Sequence, residues 1–209
     1  MGRVKTKPPD DTNRSAAAPE PVPATRERII RAASRLMQRQ GYDGTGIKQI
    51  SQEAQATLGS VYHFFPGGKQ QLALAAISRG DQEFVEQLRA ALYSDPDPVR
   101  AVVALCRDLA DGLRGSDWLD GCPIATTALG TVGRLPDIQS AAADAFARWR
   151  GVVFDRLLES GFRESDARDL AHTVISTLEG AELAAQVSRS SRPLEVAGLH
   201  LSRLIASYR

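Results

Sequence analysis

The sequence predicts an all-α fold of about nine helices. Apolar residues recur at spacings of three and four along most of the chain from residue 26 onward, which is the period of a helix with one buried face. No segment alternates between apolar and polar residues as a half-buried strand would. Two of the periodic stretches, near residues 47–54 and 58–65, are too short to be stable without a neighbour. With 209 residues, 43% of them hydrophobic, the chain can form one large or two small domains with a core.

The first of the two short helices carries its apolar residues on one face. Ile47, Ile50 and Ala54 follow the helical period, while charged and amide side chains take the other face. Thr45 precedes the helix and is predicted to cap it with its side-chain oxygen. Gln55 and the next residue form the turn that follows. So brief a turn brings the second short helix directly onto the first.

The second short helix begins with small residues and has an inner and an outer face. Thr57 is predicted to cap it, and Val61 and Phe65 form the inner face that packs on the first helix. Ser60 lies on the outer face, and the Pro-Gly-Gly sequence at 66–68 ends the helix. A helix with a small, hydrogen-bonding exposed end can approach a DNA major groove closely. We therefore interpret the pair as a helix-turn-helix.

Longer helices surround this pair. One is predicted from about Arg26 to Gln40, with Thr25 as its cap and Gly41 at its end, and it supplies the surface on which the short helices dock. Pro123 is expected at the first position of a short helix, where its missing N–H has no consequence. The helices that follow the pair are predicted at residues 68–93, 99–113, 123–131, 137–159, 165–187 and 194–207.

This pattern divides the chain into residues 1–23, 24–69 and 70–209. The first region holds five prolines and no periodicity, which predicts a disordered arm. Its basic residues could touch DNA, although a passive tail is the simpler interpretation of so mixed a composition. The second region is a three-helix DNA-binding domain, and the third is a larger helical body.

Charge is distributed unevenly along the chain. Residues 1–69 carry eleven Lys or Arg against six Asp or Glu, a net charge of +5, which leaves −4 for residues 70–209 because the total is +1. A basic end on an acidic body suits a protein that meets a polyanion with one end only. The alternative, a solvated charged helix, remains open for four arginines of the first helix, namely Arg28, Arg31, Arg35 and Arg39.

Several classes of protein find little support in the sequence. Cys106 and Cys122 are too few for a disulfide framework, and neither a signal segment nor a membrane-length apolar run is present, so we expect a cytoplasmic protein with reduced thiols and no membrane partner. The histidines lie far apart, and no phosphate-binding loop or nucleophile elbow occurs, so no metal, cofactor or enzymatic activity is expected. A catalytic pair assembled in space is the remaining alternative. Cys122, beside a helix start, is either a redox switch or a plain buried thiol.

These motifs carry a family resemblance. One set of residues resembles the DNA-binding signature of TetR-type repressors. The set consists of Gly41, Thr45, Ile50, Ala54, Thr57, Gly59, Val61-Tyr62-His63-Phe64 and Lys69-x-x-Leu72. The run YHFFPGGKQQL, with the sequence GCPIA at 121–125, is similar to the LmrA/YxaF branch of that family. Gln55 stands where the family usually has Gly, which predicts a non-glycine residue at positive φ, and Gly46 replaces a common Ser or Thr.

The resemblance implies roles in DNA binding. Ser60 and the backbone of Gly59 lie where base edges come within reach, and Leu58 could meet a thymine methyl group. Tyr62 and His63 resemble phosphate contacts of the family, although a packed aromatic and an ordinary surface histidine are the respective alternatives. The candidate DNA-binding residues are Thr45, Lys48, Thr57, Leu58, Gly59, Ser60, Tyr62, His63 and Lys69.

The resemblance also implies a homodimer that binds a palindromic operator and releases it when a small apolar or aromatic effector occupies the body. The helix at 68–93 would connect the two events. Small residues near Gly180 and Ala184 favour close packing of two subunits, with packing inside the body as the alternative. A small-molecule-binding protein without operator recognition is the alternative function. The candidate ligand-binding residues, which could equally be ordinary core, are Trp118, Phe146, Trp149, His172, Ile175 and Glu179.

Overall fold

The computed structural model of the protein describes Met1 and residues 24–209, and these residues form nine α-helices and no β-strand. The all-α prediction is confirmed for this part of the chain. The disordered arm predicted for residues 1–23 lies outside the described residues, apart from Met1. The helices are α1 (Thr25–Gly44), α2 (Ile47–Glu53), α3 (Leu58–Phe64), α4 (Gly68–Leu92), α5 (Pro98–Gly115), α6 (Pro123–Leu129), α7 (Pro136–Glu159), α8 (Glu164–Ser188) and α9 (Arg192–Ala206).

Helices α1, α2 and α3 pack on one another and form a small N-terminal unit, the head. Ile29 and Met37 of α1 are fully buried, as are Ile50 of α2 and Val61 of α3. Each of these residues lies on the face that the helical period predicts to be apolar. Because α2 and α3 have seven residues each, this shared core, rather than their own hydrogen bonds, holds them in place.

Two predicted helix caps are wrong. Thr25 is the first residue of α1, and Ala24, which has no capping side chain, occupies the cap position. Gly46 rather than Thr45 occupies the cap position of α2. The reason is that α1 continues past Gly41, whose φ of 71° bends the helix, for one further turn to Gly44. Thr45 closes this bend because its hydroxyl donates a hydrogen bond of 2.8 Å to the Gly41 carbonyl.

Three other local predictions are confirmed. Thr57 caps α3 because its side-chain oxygen accepts a hydrogen bond of 3.0 Å from the backbone N–H of Ser60. Gln55 has a φ of 49°, the positive value expected at this turn position. The turn between α2 and α3 therefore has the geometry that the motif requires, although it contains no glycine. Pro123 is also confirmed at the start of α6.

Helix α4 is continuous from the head into the body, where it packs on α7. Helix α7 also packs on α8, and α5 packs on α9. One apolar core runs through both regions, from Ile29 of α1 to Ile205 of α9. None of the helices described is long and apolar enough to cross a membrane. Helix α1 packs directly on α4 and α6.

Candidate nucleic-acid interface and ligand cavity

The exposed surface of α3 provides the candidate DNA-binding face. Leu58 and Tyr62 are apolar or aromatic, yet 44% and 51% of their surfaces are exposed. His63 and Gly59 are exposed beside them, whereas Val61 is buried against the head core. Large exposed apolar groups on a short, capped helix indicate a binding surface. Leu58, Gly59, Tyr62 and His63 are therefore all accessible on α3.

The other predicted DNA-binding residues differ in accessibility. Thr57 and Lys48 are exposed, and Ser60 is half-buried with its hydroxyl 2.9 Å from that of Thr57. Lys69 is half-buried, and its ammonium group lies 4.3 Å from the centre of the Tyr42 ring. Thr45 is only 1% exposed, and its hydroxyl is already used within the helix bend, so it does not lie on this face.

The arginines of α1 make contacts within the protein. Arg28 donates to the Ala54 carbonyl at 3.1 Å, which ties α1 to the end of α2. Arg35 pairs with Glu53 of α2 at 2.9 Å. Both contacts stabilise the packing of α1 on α2, which favours the structural interpretation left open by the sequence. The two remaining arginines likewise have acidic partners, Arg31 with Glu27 and Arg39 with Asp120.

A cavity of about 550 Å³ lies where α1, α4, α5, α7 and α8 meet the start of α6. Its volume falls within the range of roughly 300–1,000 Å³ that is usual for small-molecule sites. Phe84 and Trp149 stand side by side in its wall, with ring centres 4.3 Å apart. The residues that line the cavity include Ser34, Gln38, Glu83, Phe84, Asp108, Asp120, Gly121, Cys122, Trp149, Glu179 and Glu182.

Of the six candidate ligand-binding residues, only Trp149 and Glu179 line this cavity. Phe146 packs edge-on against Trp149, behind the wall. Ile175 is part of the main core, and Trp118 packs on a separate apolar cluster that includes Leu113. For those three residues, the alternative of ordinary packing is the better description.

The prediction that His172 is a ligand-binding residue of the cavity is also wrong. His172 is an exposed residue of α8, outside the cavity wall. Glu179 lies seven residues, or about two turns, further along the same helix, so the two residues share nearly the same rotation around its axis and differ in their position along it. Glu182, about one turn beyond Glu179, also lines the cavity and was missed. An acidic residue repeating at i+3 in an apolar helix was the available signal.

Burial controls the acid-base properties of the cavity. It raises the pKa of Glu182 to about 8, with a further contribution from the Glu179 carboxylate. It also raises the pKa of Glu179, while a hydrogen bond with the Cys122 thiol acts in the opposite direction. Burial and the two carboxylates raise the pKa of Cys122 well above its usual value. A redox switch would need a lowered pKa at this cysteine, so the raised pKa favours the other interpretation, a plain buried thiol.

The cavity adjoins the junction between head and body. Gln38 of α1 donates a hydrogen bond of 2.7 Å to the carbonyl of Gly121, just before α6. Gly41 approaches α6 so closely that an added Cβ would lie 3.2 Å from the Thr126 carbonyl oxygen. Gly80 of α4 likewise approaches Pro123. Head and body are thus in contact at the rim of the cavity.

Within residues 24–209, no three His, Cys, Asp or Glu side chains are grouped so that they could hold a metal ion. The chemistry available to the cavity is therefore that of its carboxyl, amide and aromatic groups. These groups can bind and orient a small molecule by ion pairing, hydrogen bonding and ring contacts.

A three-helix head with a capped, exposed third helix, joined to a helical body with a cavity, defines the class of helix-turn-helix regulators. Residues 29–76 match the model of bacterial regulatory proteins of the tetR family. Residues 98–200 match the model of the C-terminal domain of LmrA/YxaF-like transcriptional regulators. The chain belongs to the TetR family of transcriptional regulators and has a C-terminal domain of the LmrA/YxaF type.

Individual relatives agree with this assignment. The chain is 32% identical to the HTH-type transcriptional regulator LmrA of Bacillus subtilis over 87% of its own length and 94% of that protein. It is 31% identical to the uncharacterised regulator YxaF of the same organism, over 81% and 89%. A TetR regulator from Chloroflexus aurantiacus has a similar structure, with a TM-score of 0.72, 28% identity and coverage of 87% and 94%. These relatives are regulators rather than enzymes.

Proposed function

We propose that this regulator is a ligand-responsive repressor, a homodimer that binds a palindromic operator and leaves it when a small apolar or aromatic molecule occupies the cavity. The observation that carries the proposal is that Ser34 and Gln38 of α1 line the cavity. The same helix is the surface on which α2 and α3 pack. An occupant of the cavity therefore touches the helix that positions the DNA-binding face.

In this proposal α3 lies in the major groove. Ser60 and the Gly59 backbone reach base edges, and Leu58 meets a thymine methyl group. Tyr62 and His63 contact phosphates, as do Lys48, Lys69 and the hydroxyl of Thr57. One head makes few base contacts. Two heads that read half-sites about 34–36 Å apart would supply the remaining affinity and specificity.

The dimer would form through α7 and α8. Along α8 the residues Gly180, Leu183, Ala184 and Val187 are all exposed, and they share one helix face. Leu183 is 60% exposed and Val187 is 77% exposed, which supports burial against a second copy. Ala185, by contrast, is buried within its own body. The pair of substitutions Leu183→Glu and Val187→Glu should yield a monomer in sedimentation, whereas Leu129→Glu, also at an exposed leucine, should leave a dimer.

The ligand would act by shifting a population between two arrangements of the heads. If the occupied cavity favours a spacing that does not fit successive major-groove faces, the operator affinity falls by the coupling free energy. Such couplings are typically about 1–3 kcal/mol, or roughly 5-fold to 150-fold in affinity. Small changes where α1 meets α6 are sufficient, because packed interfaces switch between discrete arrangements.

The DNA-binding part is tested by titrating the promoter region beside the protein's own gene and, separately, unrelated DNA. Ser60→Arg places a bulky side chain on the exposed start of α3 and should reduce the ratio of specific to non-specific affinity. Ser165→Arg adds the same charge at an exposed position of α8 and serves as the control. An unchanged ratio for Ser60→Arg would exclude α3 as the recognition helix.

The alternative is a small-molecule-binding protein that keeps this fold without operator recognition. It predicts weak DNA binding with similar affinity for all sequences. The repressor predicts both a steep salt dependence and a large specific-to-non-specific ratio. A thermal-shift screen of small molecules on the full chain would identify ligands, since a ligand of the folded state raises the unfolding midpoint.

A further inference from the structure

We propose that the molecule bound in this cavity carries a positive charge, which Glu182 and Glu179 hold beside the aromatic wall formed by Phe84 and Trp149. This inference rests on the proposed function only in taking the cavity to be the effector site. It specifies the chemical class of the effector, an aromatic or otherwise apolar cation.

The first argument is the charge of the lining. The described residues that line the cavity include five carboxyl groups and no Lys, Arg or His. A concave, partly enclosed wall of one sign concentrates ions of the opposite sign. The acidic groups of the lining, with no basic group among them, therefore favour a cation over an anion. The five acidic residues are Glu83, Asp108, Asp120, Glu179 and Glu182.

The second argument is that two of the acids near the rim already have arginine partners, whereas the buried Glu182 has none. Glu83 pairs with Arg79, and Asp120 pairs with Arg39. Glu182 is only 9% exposed, and within residues 24–209 no hydrogen bond or ion pair is formed by its carboxyl group. A carboxyl group that is largely removed from bulk water, opens onto a cavity and lacks a protein partner gains from a ligand that supplies one. The geometry thus leaves Glu182 available to the occupant of the cavity.

The third argument is the position of the aromatic rings. The indole of Trp149 is held in place because its Nε1–H donates a hydrogen bond of 2.9 Å to Asp81. The ring of Phe84 packs against it, and both residues line the cavity with the two glutamates. The faces of aromatic rings attract organic cations, most strongly for tryptophan. Rings and carboxyl groups together suit a flat apolar cation better than a neutral molecule.

Protonation gives the proposal a distinctive signature. Because burial raises the pKa of Glu182 to about 8, the empty site holds a proton below that pH. A bound cation favours the ionised carboxylate, so binding releases the proton. The affinity for a cation should therefore rise by up to about tenfold per pH unit below pH 8 and level off above it. The other titratable or charged groups around Glu182 are Glu179, Cys122, Asp108, the Glu83–Arg79 pair and the Asp120–Arg39 pair.

The test uses the full chain without DNA and two probes of nearly equal shape. One is thioflavin T, an aromatic monocation, and the other is its neutral analogue without the methyl group on the benzothiazole nitrogen. Ethidium and tetraphenylphosphonium serve as further cations. Dissociation constants are measured by calorimetry between pH 6 and pH 9, in buffers of different ionisation enthalpy so that released protons are counted.

We expect the cations to bind and thioflavin T to bind at least about tenfold more tightly than its neutral analogue at pH 8. Glu182→Gln should weaken cation binding about tenfold, abolish the pH dependence and leave the neutral analogue within about threefold. Glu86→Gln, at an exposed position of α4 outside the cavity, is the control and should change neither.

Failure of all three cations to bind, equal affinity for the charged and neutral probes, or an unchanged pH profile in Glu182→Gln would each overturn the inference. If Glu182→Gln does not fold, the charge preference and proton release of the unchanged protein decide the matter. Operator binding is measured separately. Cations that bind without releasing DNA would refute the proposed repressor mechanism and leave the charge of the ligand established.

Discussion

The buried carboxylate of Asp81 allows a quantitative test of how α4 and α7 shape the cavity. Asp81 of α4 is 6% exposed and accepts two hydrogen bonds from α7, from Trp149 Nε1 at 2.9 Å and from Arg148 Nε at 2.7 Å. Asp81→Ala removes both acceptors. Because the Trp149 indole is 1% exposed, its N–H would then be buried without a partner.

The expected loss follows from these two contacts. An unsatisfied buried donor costs about 1–3 kcal/mol. The pair with Arg148 adds at most about 0.5 kcal/mol, because 53% of the arginine side chain is exposed to screening solvent. The free energy of unfolding should therefore fall by about 1–3.5 kcal/mol. For a chain of this length the melting temperature should fall by roughly 2–14 °C. Asp81→Asn keeps an oxygen acceptor for the indole and should lose about 1 kcal/mol.

Thermal unfolding is measured at one fixed protomer concentration, because association shifts the melting temperature. Asp155→Ala removes an exposed carboxylate of α7 and is the control. Ligand affinity should fall with Asp81→Ala as well, since the Trp149 ring in the cavity wall loses its fixed position. A melting temperature of Asp81→Ala within about 2 °C of the unchanged protein would refute the argument.

Three further changes test other parts of the molecule. Gln38→Leu removes the hydrogen bond from α1 to the Gly121 carbonyl, which is worth about 1 kcal/mol. The ratio of the operator affinity without ligand to that with ligand should therefore fall about fivefold, as measured by fluorescence titration. Lys48→Ala should reduce the slope of log affinity against log salt concentration by about 1, because one phosphate contact is lost. Arg156→Met should lower the free energy of unfolding, measured by urea denaturation, by about 3 kcal/mol. The reason is that Arg156 is only 8% exposed and its guanidinium donates hydrogen bonds to the carbonyls at the end of α4 and in the loop after it.

Exposed residues of the same type, or of the same charge in the case of Lys48, provide matched controls. Gln82→Leu on α4 should leave the affinity ratio unchanged, and Arg107→Ala on α5 should leave the salt slope unchanged. Arg203→Met on α9 should change the free energy of unfolding by less than about 0.5 kcal/mol. If any of these controls matches the effect of its paired substitution, the contact named for that substitution is not the cause.

The DNA-binding head illustrates what local sequence information can predict. Thr57 caps α3 and Gln55 adopts a positive φ, as the motif indicated, because both depend on residues within one or two turns. The cap of α2 could not be predicted in the same way. Thr45 is turned inward by the bend at Gly41, and that bend occurs where α1 meets α6, far away in sequence.

The cavity illustrates the opposite case. Trp118 and Trp149 look equivalent in the sequence, yet only Trp149 lines the cavity, since Trp118 packs on a separate cluster. Glu179 and Glu182 face inward, whereas His172 on the same helix is exposed. Position along α8 decides between them, because His172 lies about two turns before Glu179 and only residues in the C-terminal half of the helix line the cavity.

The sequence by itself therefore determined the helical class, the course of the helices, the helix-turn-helix and the family. Each of these depends on periodicity, caps and breakers that act over a few residues. Only the tertiary structure decided which side chains enclose the cavity and that α1 forms part of its wall. Those features depend on how five helices and the start of α6 meet, and contacts between distant segments leave no periodic signal in a single chain.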